Sequence, residues 1–121
     1  MILVTDAMPP ARGDFYHELP ITNFSIVAAR LCVKGSSCFA PDGRLAGTAL
    51  TMNKAVGNIV ESTSTNLSDA VKMANLNPAK LLGIDQAKSS LEASKDGDAV
   101  VADAELNIHA TVVGGAIVHQ L

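Results

Sequence analysis

The chain opens on three consecutive apolar residues, Ile2 to Val4, which lead through Thr5 to Asp6 and then to two prolines. An unbroken run of branched residues is typical of a strand covered on both faces, because a half-exposed strand would alternate apolar and polar positions. We therefore predict a buried strand with Asp6 at its carboxyl end, where catalytic groups gather in α/β barrels and open α/β sheets. In the other interpretation Asp6 only caps the turn before the prolines.

The hydrophobic pattern changes its period part-way along the chain. Between Leu19 and Val33 the residues are strand-like, with apolar and polar positions in alternation. Two stretches rich in Gly, Ser, Pro and Asp, at 34–37 and 41–44, predict turns. From Gly47 onward apolar residues recur every three or four positions, which predicts a helix that fades near Glu61.

Two more helices are predicted after a polar connector. Asn66 can cap the first of them, with Asp69 three positions later in place of the usual capping-box glutamate. The second begins near Pro78, since proline in the first helical position loses no hydrogen bond. It ends at Gly83, because glycine adopts the left-handed conformation that closes a helix.

The end of the chain returns to the pattern of strands. Ala99–Ala102 forms one predicted strand, and Ile108–Val113 and Ala116–His119 form two others. Gly114-Gly115 separates the last two, and a two-residue loop of glycines is typical of a β-hairpin because both positions can take positive φ.

Composition narrows the class of protein. A length of 121 residues is one domain or part of a larger protein, and 48% hydrophobic with 17% charged residues indicates a folded chain. The net charge is −3 and the nine basic residues are scattered, so we expect no nucleic acid and no membrane as partner. The absence of Trp and the 3% aromatic content also disfavour stacking on single-stranded nucleic acid.

The cysteines and the lengths of the apolar runs indicate in which cellular compartment the protein is found. Cys32 and Cys38 form no Cys-x-x-Cys pair and are too few for a secreted disulfide framework, so we expect both to be reduced packing residues. The longest apolar runs are too short to cross a bilayer, and the start of the chain lacks the order of a signal peptide. These features predict a cytoplasmic protein.

No local motif in the chain predicts a metal site. His17, His109 and His119 are the only histidines, and none lies at metal-ligand spacing from another, so no metal is expected for this chain alone. The acidic stretch Lys95–Asp98 is interpreted as a solvated turn. The chain also contains no glycine-rich phosphate-binding motif.

Four parts of the chain together match a known pattern. They are Val4–Met8, Pro41–Met52, Ala70–Ala74 with Asn77–Lys80, and Thr111–Gly115. These stretches closely resemble the N-acetylglucosamine-6-phosphate deacetylase family of the amidohydrolase superfamily. Their order and spacing agree over essentially the whole chain, which corresponds to about the last third of the family's length.

The resemblance implies the C-terminal fragment of a metal-dependent (β/α)8 barrel, in an α/β fold, with strands of a small β-sandwich. Residues 1–84 would belong to the barrel, with Ile2–Asp6 as its last strand, and residues 85–121 would belong to the sandwich. Asp6 matches the catalytic aspartate, which acts as general base and then as general acid. Leu45, Ala46 and Gly47 match a segment that lines the substrate site.

The chain also departs from the family. Ser89 and Ser94 stand where the family usually has glycines, so positive φ there would be strained. Gly57 stands inside the first predicted helix, where the family commonly has arginine. The glutamate and the two histidines that hold the family's metal, zinc or iron, lie on earlier barrel strands and have no counterpart here.

Three hypotheses follow from the sequence. In the first, the chain is the C-terminal part of a cytoplasmic deacetylase that removes the acetyl group from N-acetylglucosamine 6-phosphate, forms a homo-oligomer, and is inactive without the rest of the barrel. In the second, it is a truncated, non-enzymatic remnant that at most associates with another chain through uncovered apolar faces. The third is a small independent binding domain.

Overall fold

The structure is a computed structural model that describes residues 1–8 and 32–121, with Cys32 described in its backbone alone. The predicted strands between Leu19 and Leu31, and the residue His17, lie outside this part of the chain. The described residues form an α/β chain with two three-stranded antiparallel sheets. They divide into two compact units, Thr5–Thr51 and a second made of Met1–Val4 with Met52–Leu121.

The first unit contains a small sheet with strand order β1-β2-β3. Both predicted turns are confirmed, because Gly35 and Gly43 turn the chain with φ of 60° and 83°. The side chain of Cys38 is fully buried, which confirms that this cysteine packs in the core. The strands are β1 (Cys32–Lys34), β2 (Ser37–Phe39) and β3 (Leu45–Thr48).

The longer part of the second unit, Met52–Leu121, begins with a helix, α1 (Met52–Ser62), whose predicted end near Glu61 is confirmed. Its start lies later than Gly47, because residues 45–48 pair with β2 as strand β3. The apolar face of α1 is directed inward, with Ala55 and Val56 buried. Gly57 lies inside this helix, and a Cβ there would meet only a side-chain atom of Leu106 at 3.5 Å.

The next two helices have the predicted caps. Helix α2 (Leu67–Ala74) begins after Asn66, whose side-chain oxygen accepts a hydrogen bond from the Asp69 N–H at 2.9 Å. Helix α3 (Leu76–Leu82) begins two residues before Pro78, which therefore lies in the first turn, where its missing N–H is not needed. Gly83 ends α3 with a φ of 70°. Among the helices of the described chain, none is both long and apolar enough to cross a bilayer.

The second sheet has the strand order β4-β5-β6 and contains the predicted hairpin. Gly114 and Gly115 have φ of 57° and 81°, as a two-residue hairpin loop requires. Ser89 and Ser94, in the connection before this sheet, have φ of 78° and 72°. Both serines therefore carry the strain expected where the family has glycines. The strands are β4 (Ala99–Ala102), β5 (Ile108–Val113) and β6 (Ala116–Gln120).

The connection before β4 is more organised than a simple solvated turn. The Lys88 ammonium lies 2.6 Å from a carboxylate oxygen of Asp96 and 2.7 Å from one of Asp98. Asp98 also accepts a hydrogen bond from the backbone N–H of Gly114 at 2.8 Å. The hydrogen bonds that the Lys88 ammonium donates, first to Asp96 and then to Asp98, raise the pKa of Lys88. The acidic stretch therefore ties the connection to the hairpin loop.

The prediction of a buried strand at Ile2–Asp6 is wrong for the structure as described. Ile2 is 37% and Val4 is 72% exposed. The Leu3 N–H donates a hydrogen bond to the carbonyl oxygen of Met73 in α2 at 2.8 Å, and the isolated parallel bridge that follows the segment joins Ala7 to Thr48. A strand covered on both faces needs neighbouring strands and packed layers, and residues 32–121 do not supply them around Ile2 and Val4.

We expect the Asn66 cap to contribute measurably to stability. Replacing Asn66 by Ala removes the acceptor for the Asp69 N–H, and loss of such a cap costs about 0.5–2 kcal/mol. The matched control is Asn58→Ala on the exposed side of α1, where alanine's better helix propensity should leave stability equal or slightly higher. Urea unfolding measures both variants, and equal midpoints for the two would contradict the capping role.

The loop between β4 and β5 is organised by Asp103. Its carboxylate accepts hydrogen bonds from the Asn107 backbone N–H at 2.8 Å and the Asn107 side-chain amide at 2.9 Å, and lies 3.2 Å from Nε2 of His109. These contacts, the Asn107 side chain first, lower the pKa of Asp103 from 3.8 to about 2. Leu106, within this loop, has a φ of 62°.

The lowered pKa of Asp103 predicts a pH-dependent contribution to stability. Because the pKa is lower in the folded than in the unfolded chain, the contribution is complete above the unfolded value and is lost as the pH falls through the folded value. Asp103→Asn should therefore lower the urea midpoint at neutral pH. The difference in midpoint between the variant and the wild type should vanish as the pH falls from 3.8 to about 2. A pH-independent difference would contradict this origin, and Glu61→Gln is the control for a general charge effect.

Candidate functional site

The backbone of Asp6 is in a left-handed conformation, with φ of 50°. This region is uncommon for residues other than glycine, although aspartate and asparagine enter it more readily than most. The side chain of Asp6 is exposed, and no hydrogen bond from residues 1–8 or 32–121 occupies its carboxylate. The carboxylate is thus accessible, while the backbone that carries it has a specific and unusual geometry.

Two backbone hydrogen bonds hold residues 5–8, here called the acid segment, against the end of β3. The Thr48 N–H donates to the carbonyl oxygen of Asp6 at 3.0 Å, and the Met8 N–H donates to the carbonyl oxygen of Thr48 at 2.8 Å. They form the parallel bridge between Ala7 and Thr48. The structure therefore brings the predicted catalytic acid next to the stretch that contains the predicted substrate-binding residues.

Of those three predicted residues, Gly47 lies closest to the acid. Gly47 is buried, and a Cβ there would lie 3.0 Å from the Asp6 carbonyl oxygen and 2.6 Å from Cγ of Met8. Only glycine permits so close a backbone approach. Ala46 is half-buried and Leu45 is 67% exposed. The role of Leu45, Ala46 and Gly47 in binding substrate stays a prediction.

Sequence reasoning missed Thr48, which makes both backbone hydrogen bonds to the acid segment. The available signal was its place directly after Gly47 in a stretch that resembles the deacetylase family. No feature of periodicity distinguishes it, because its partners lie forty or more positions earlier in the chain.

The described residues do not form a metal site by themselves. Within residues 1–8 and 32–121 there is no cluster of three or more His, Cys, Asp or Glu side chains that could hold an ion. His109 contacts Asp103 in the β4–β5 loop, and His119 lies exposed on β6. The described residues around Asp6 thus do not fit a metal that this part of the chain would hold alone.

Comparison with known proteins places the chain in a family. The model of the amidohydrolase family matches residues 26–118, which is more than half of the chain. The chain belongs to the amidohydrolase family.

Two relatives in this family are named as deacetylases of amino-sugar phosphates. The chain is 35% identical to the N-acetylglucosamine-6-phosphate deacetylase of Lysinibacillus sphaericus over 97% of its own length and 28% of that protein's. It is 30% identical to an N-acetylgalactosamine-6-phosphate deacetylase of Escherichia coli, over 97% of the chain and 29% of that protein.

A solved structure agrees with these sequence relatives. The crystal structure of N-acetylglucosamine-6-phosphate deacetylase from Pasteurella multocida superimposes with a TM-score of 0.81 and 30% identity, over 96% of this chain and 29% of that one. The amidohydrolase chain thus spans less than a third of the length of such relatives. The resemblance seen in the sequence motifs is confirmed.

We expect Gly47 to tolerate no side chain. Gly47→Ala should destabilise the protein by about 1–3 kcal/mol beyond the cost of the backbone conformation, because the new methyl group overlaps Met8 and the Asp6 carbonyl. Gly43→Ala is the matched control, because Gly43 also has positive φ but open space around its Cβ. Urea unfolding compares the two, and an equal loss at both positions would refute a close approach at Gly47.

Proposed function

We propose that this chain supplies the general base and acid of an amino-sugar-phosphate deacetylase, with Asp6 in that role. The observation that carries the proposal is the exposed Asp6 carboxylate on a left-handed backbone, held beside Gly47 and Thr48. Unusual backbone conformations in well-supported segments cluster at active sites. The names of the relatives supply the reaction class.

The proposal includes the place of this segment in a larger fold. In the whole protein Ile2–Asp6 would be the last strand of a (β/α)8 barrel, residues 1–84 part of the barrel, and residues 85–121 part of a β-sandwich. The exposure of Ile2 and Val4 supports this, because apolar residues in an unbroken run call for strands on either side. The carboxyl end of a barrel strand is also where an acid can face the active site.

The proposed reaction is hydrolysis of an acetamide. Asp6 accepts a proton from the attacking water as the new C–O bond forms at the acetyl carbonyl carbon. It then delivers that proton to the sugar nitrogen as the C–N bond breaks, which yields acetate and the free amino sugar phosphate. One carboxylate serves both steps because the two proton positions lie on the same reacting centre.

The resemblance implies a divalent metal, zinc or iron, in the whole protein. The described residues of this chain do not make up its ligand set, so the ligands of such an ion would come from elsewhere in the protein. Proton transfer by Asp6 and shaping of the substrate site by Leu45, Ala46 and Gly47 are the contributions that we assign to this chain.

The substrate proposed is N-acetylglucosamine 6-phosphate, because that sugar is named in several of the relatives, including that of Lysinibacillus sphaericus. The epimeric galactosamine substrate is named in another, so both sugars belong in the assay. A homo-oligomeric state and a cytoplasmic location complete the proposal, as inferred from the sequence.

A second candidate is a non-enzymatic module that associates with another protein. Its support is the apolar surface of the second unit, where a cavity of about 440 Å³ between helices and the second sheet is lined by Met52, Val71 and Val100. These three residues are 39%, 38% and 60% exposed, and exposed apolar patches mark protein contacts. Deacetylase activity of a hybrid enzyme that contains this chain separates the two candidates.

The test is a hybrid enzyme in which residues 1–121 replace the matching 29% of the Pasteurella multocida deacetylase. We expect the hybrid to release acetate from N-acetylglucosamine 6-phosphate. Asp6→Asn in the hybrid should lower kcat about 10²–10⁴-fold with little change in KM, because a general base acts chiefly in the transition state. Asparagine keeps the shape and tolerates positive φ, so the backbone should be retained.

The matched control is Asp42→Asn, which makes the same chemical change in an exposed turn of the same unit. Its kcat should equal that of the hybrid. If Asp6→Asn retains kcat but melts at a lower temperature, Asp6 is only a turn cap and the catalytic proposal fails. A folded hybrid without deacetylase activity would instead favour the association module.

A further inference from the structure

We propose that Thr48 is a positioning residue for Asp6, acting through its side-chain hydroxyl on the backbone that carries the acid. The inference rests on the proposed function, because it assigns Thr48 a role in the same reaction. Thr48 does not touch the reacting atoms in this view. It sets the direction in which the Asp6 carboxylate leaves the backbone.

The hydroxyl of Thr48 has both of its hydrogen-bonding roles occupied. Its oxygen lies 2.5 Å from the carbonyl oxygen of Thr5, and since a carbonyl only accepts, the hydroxyl must donate there. The same oxygen accepts from the Leu50 N–H at 3.2 Å. The hydroxyl therefore has a defined orientation and links the residue before Asp6 to the end of β3.

Together with its backbone, Thr48 holds the acid segment on both sides of Asp6. The hydroxyl holds the Thr5 carbonyl, the Thr48 N–H holds the Asp6 carbonyl at 3.0 Å, and the Thr48 carbonyl holds the Met8 N–H at 2.8 Å. The two peptide planes that flank the Asp6 Cα are thereby oriented. Their orientation defines φ and ψ of Asp6, which is the left-handed conformation observed.

These hydrogen bonds matter because the left-handed backbone conformation is not one that aspartate prefers. Without the hydroxyl, the peptide plane between Thr5 and Asp6 can rotate toward the ordinary negative-φ region. Such a rotation would redirect the Cα–Cβ bond of Asp6 and move the carboxylate. Displacements of about 1 Å at a catalytic group can cost about 10²-fold in rate.

A purely structural role would have different consequences. In that case the hydroxyl only satisfies the Thr5 carbonyl, and its loss would lower stability while leaving Asp6 unchanged in the folded molecules. Thr48→Val separates the two roles, because valine keeps the branched shape suited to β3 and lacks the hydroxyl. Thr48→Ser restores the hydroxyl without the methyl group.

The first experiment uses the full 121-residue chain. The φ-dependent amide-to-Hα coupling of Asp6 is measured by NMR in wild type, Thr48→Val, Thr48→Ser and Thr63→Val. Thr63 is the matched control, because its hydroxyl donates to the Ile59 carbonyl at 2.6 Å in the other unit. We expect the Asp6 coupling to move toward its negative-φ value in Thr48→Val alone.

The second experiment measures kcat and KM in the hybrid enzyme with the same substitutions. We expect Thr48→Val to lower kcat about 10–10²-fold, from displacement of the acid, while KM changes much less. Thr48→Ser should recover most of kcat, and Thr63→Val should equal the parent hybrid. Recovery by serine shows that the hydroxyl, and not the methyl group, is responsible.

An unchanged Asp6 coupling in Thr48→Val, or equal kcat values for Thr48→Val and Thr48→Ser, would overturn the positioning role. If Asp6→Asn abolishes turnover while Thr48→Val does not, the proposed function stands and this inference alone fails. If Asp6→Asn keeps full turnover, the catalytic role of Asp6 fails and the inference falls with it. The Asp6→Asn variant therefore tells the two failures apart.

Discussion

The hydrogen bonds between the acid segment and Thr48 are the constraint on which the candidate site depends. They join residues forty or more positions apart, and they hold Asp6 in a backbone conformation that its own sequence does not favour. The absence of a side chain at Gly47 follows from the same contact, because the acid segment passes too close for a Cβ. The hydrogen bonds with Thr48 orient both peptide planes that flank the Asp6 Cα.

The chemistry that the chain can offer is correspondingly narrow. It presents the accessible carboxylate of Asp6 on a defined backbone, and two other hydrogen-bonded carboxylates of the described residues have structural tasks. Asp103 closes the β4–β5 loop, and Asp98 with Lys88 ties a connection to the hairpin. The pKa values of Asp103 and Asp98 are lowered by those hydrogen bonds, so both stay ionised, and neither lies near Asp6 along the chain. This division separates the candidate acid from the carboxylates that stabilise loops.

Much of the local structure follows from the sequence because its causes lie within a few residues. Asn66 and Asp69 are three positions apart, so their cap is visible in the sequence itself. The hairpin at Gly114 and the helix end at Gly83 depend only on the freedom of glycine to take positive φ. The strained φ of Ser89 was likewise expected from the residue type, once the resemblance indicated a glycine there.

The sequence by itself determined these short-range features and, through its motifs, the amidohydrolase family. Tertiary structure alone decided the left-handed backbone of Asp6 and the contact with Thr48, because both depend on β3 and on the isolated bridge that reaches it. It also decided that Ile2 and Val4 lie exposed, although their pattern predicts burial. An unbroken apolar run indicates only that a strand is suited to being covered on both faces. Its burial also requires neighbouring strands, and the tertiary structure decides whether these are present.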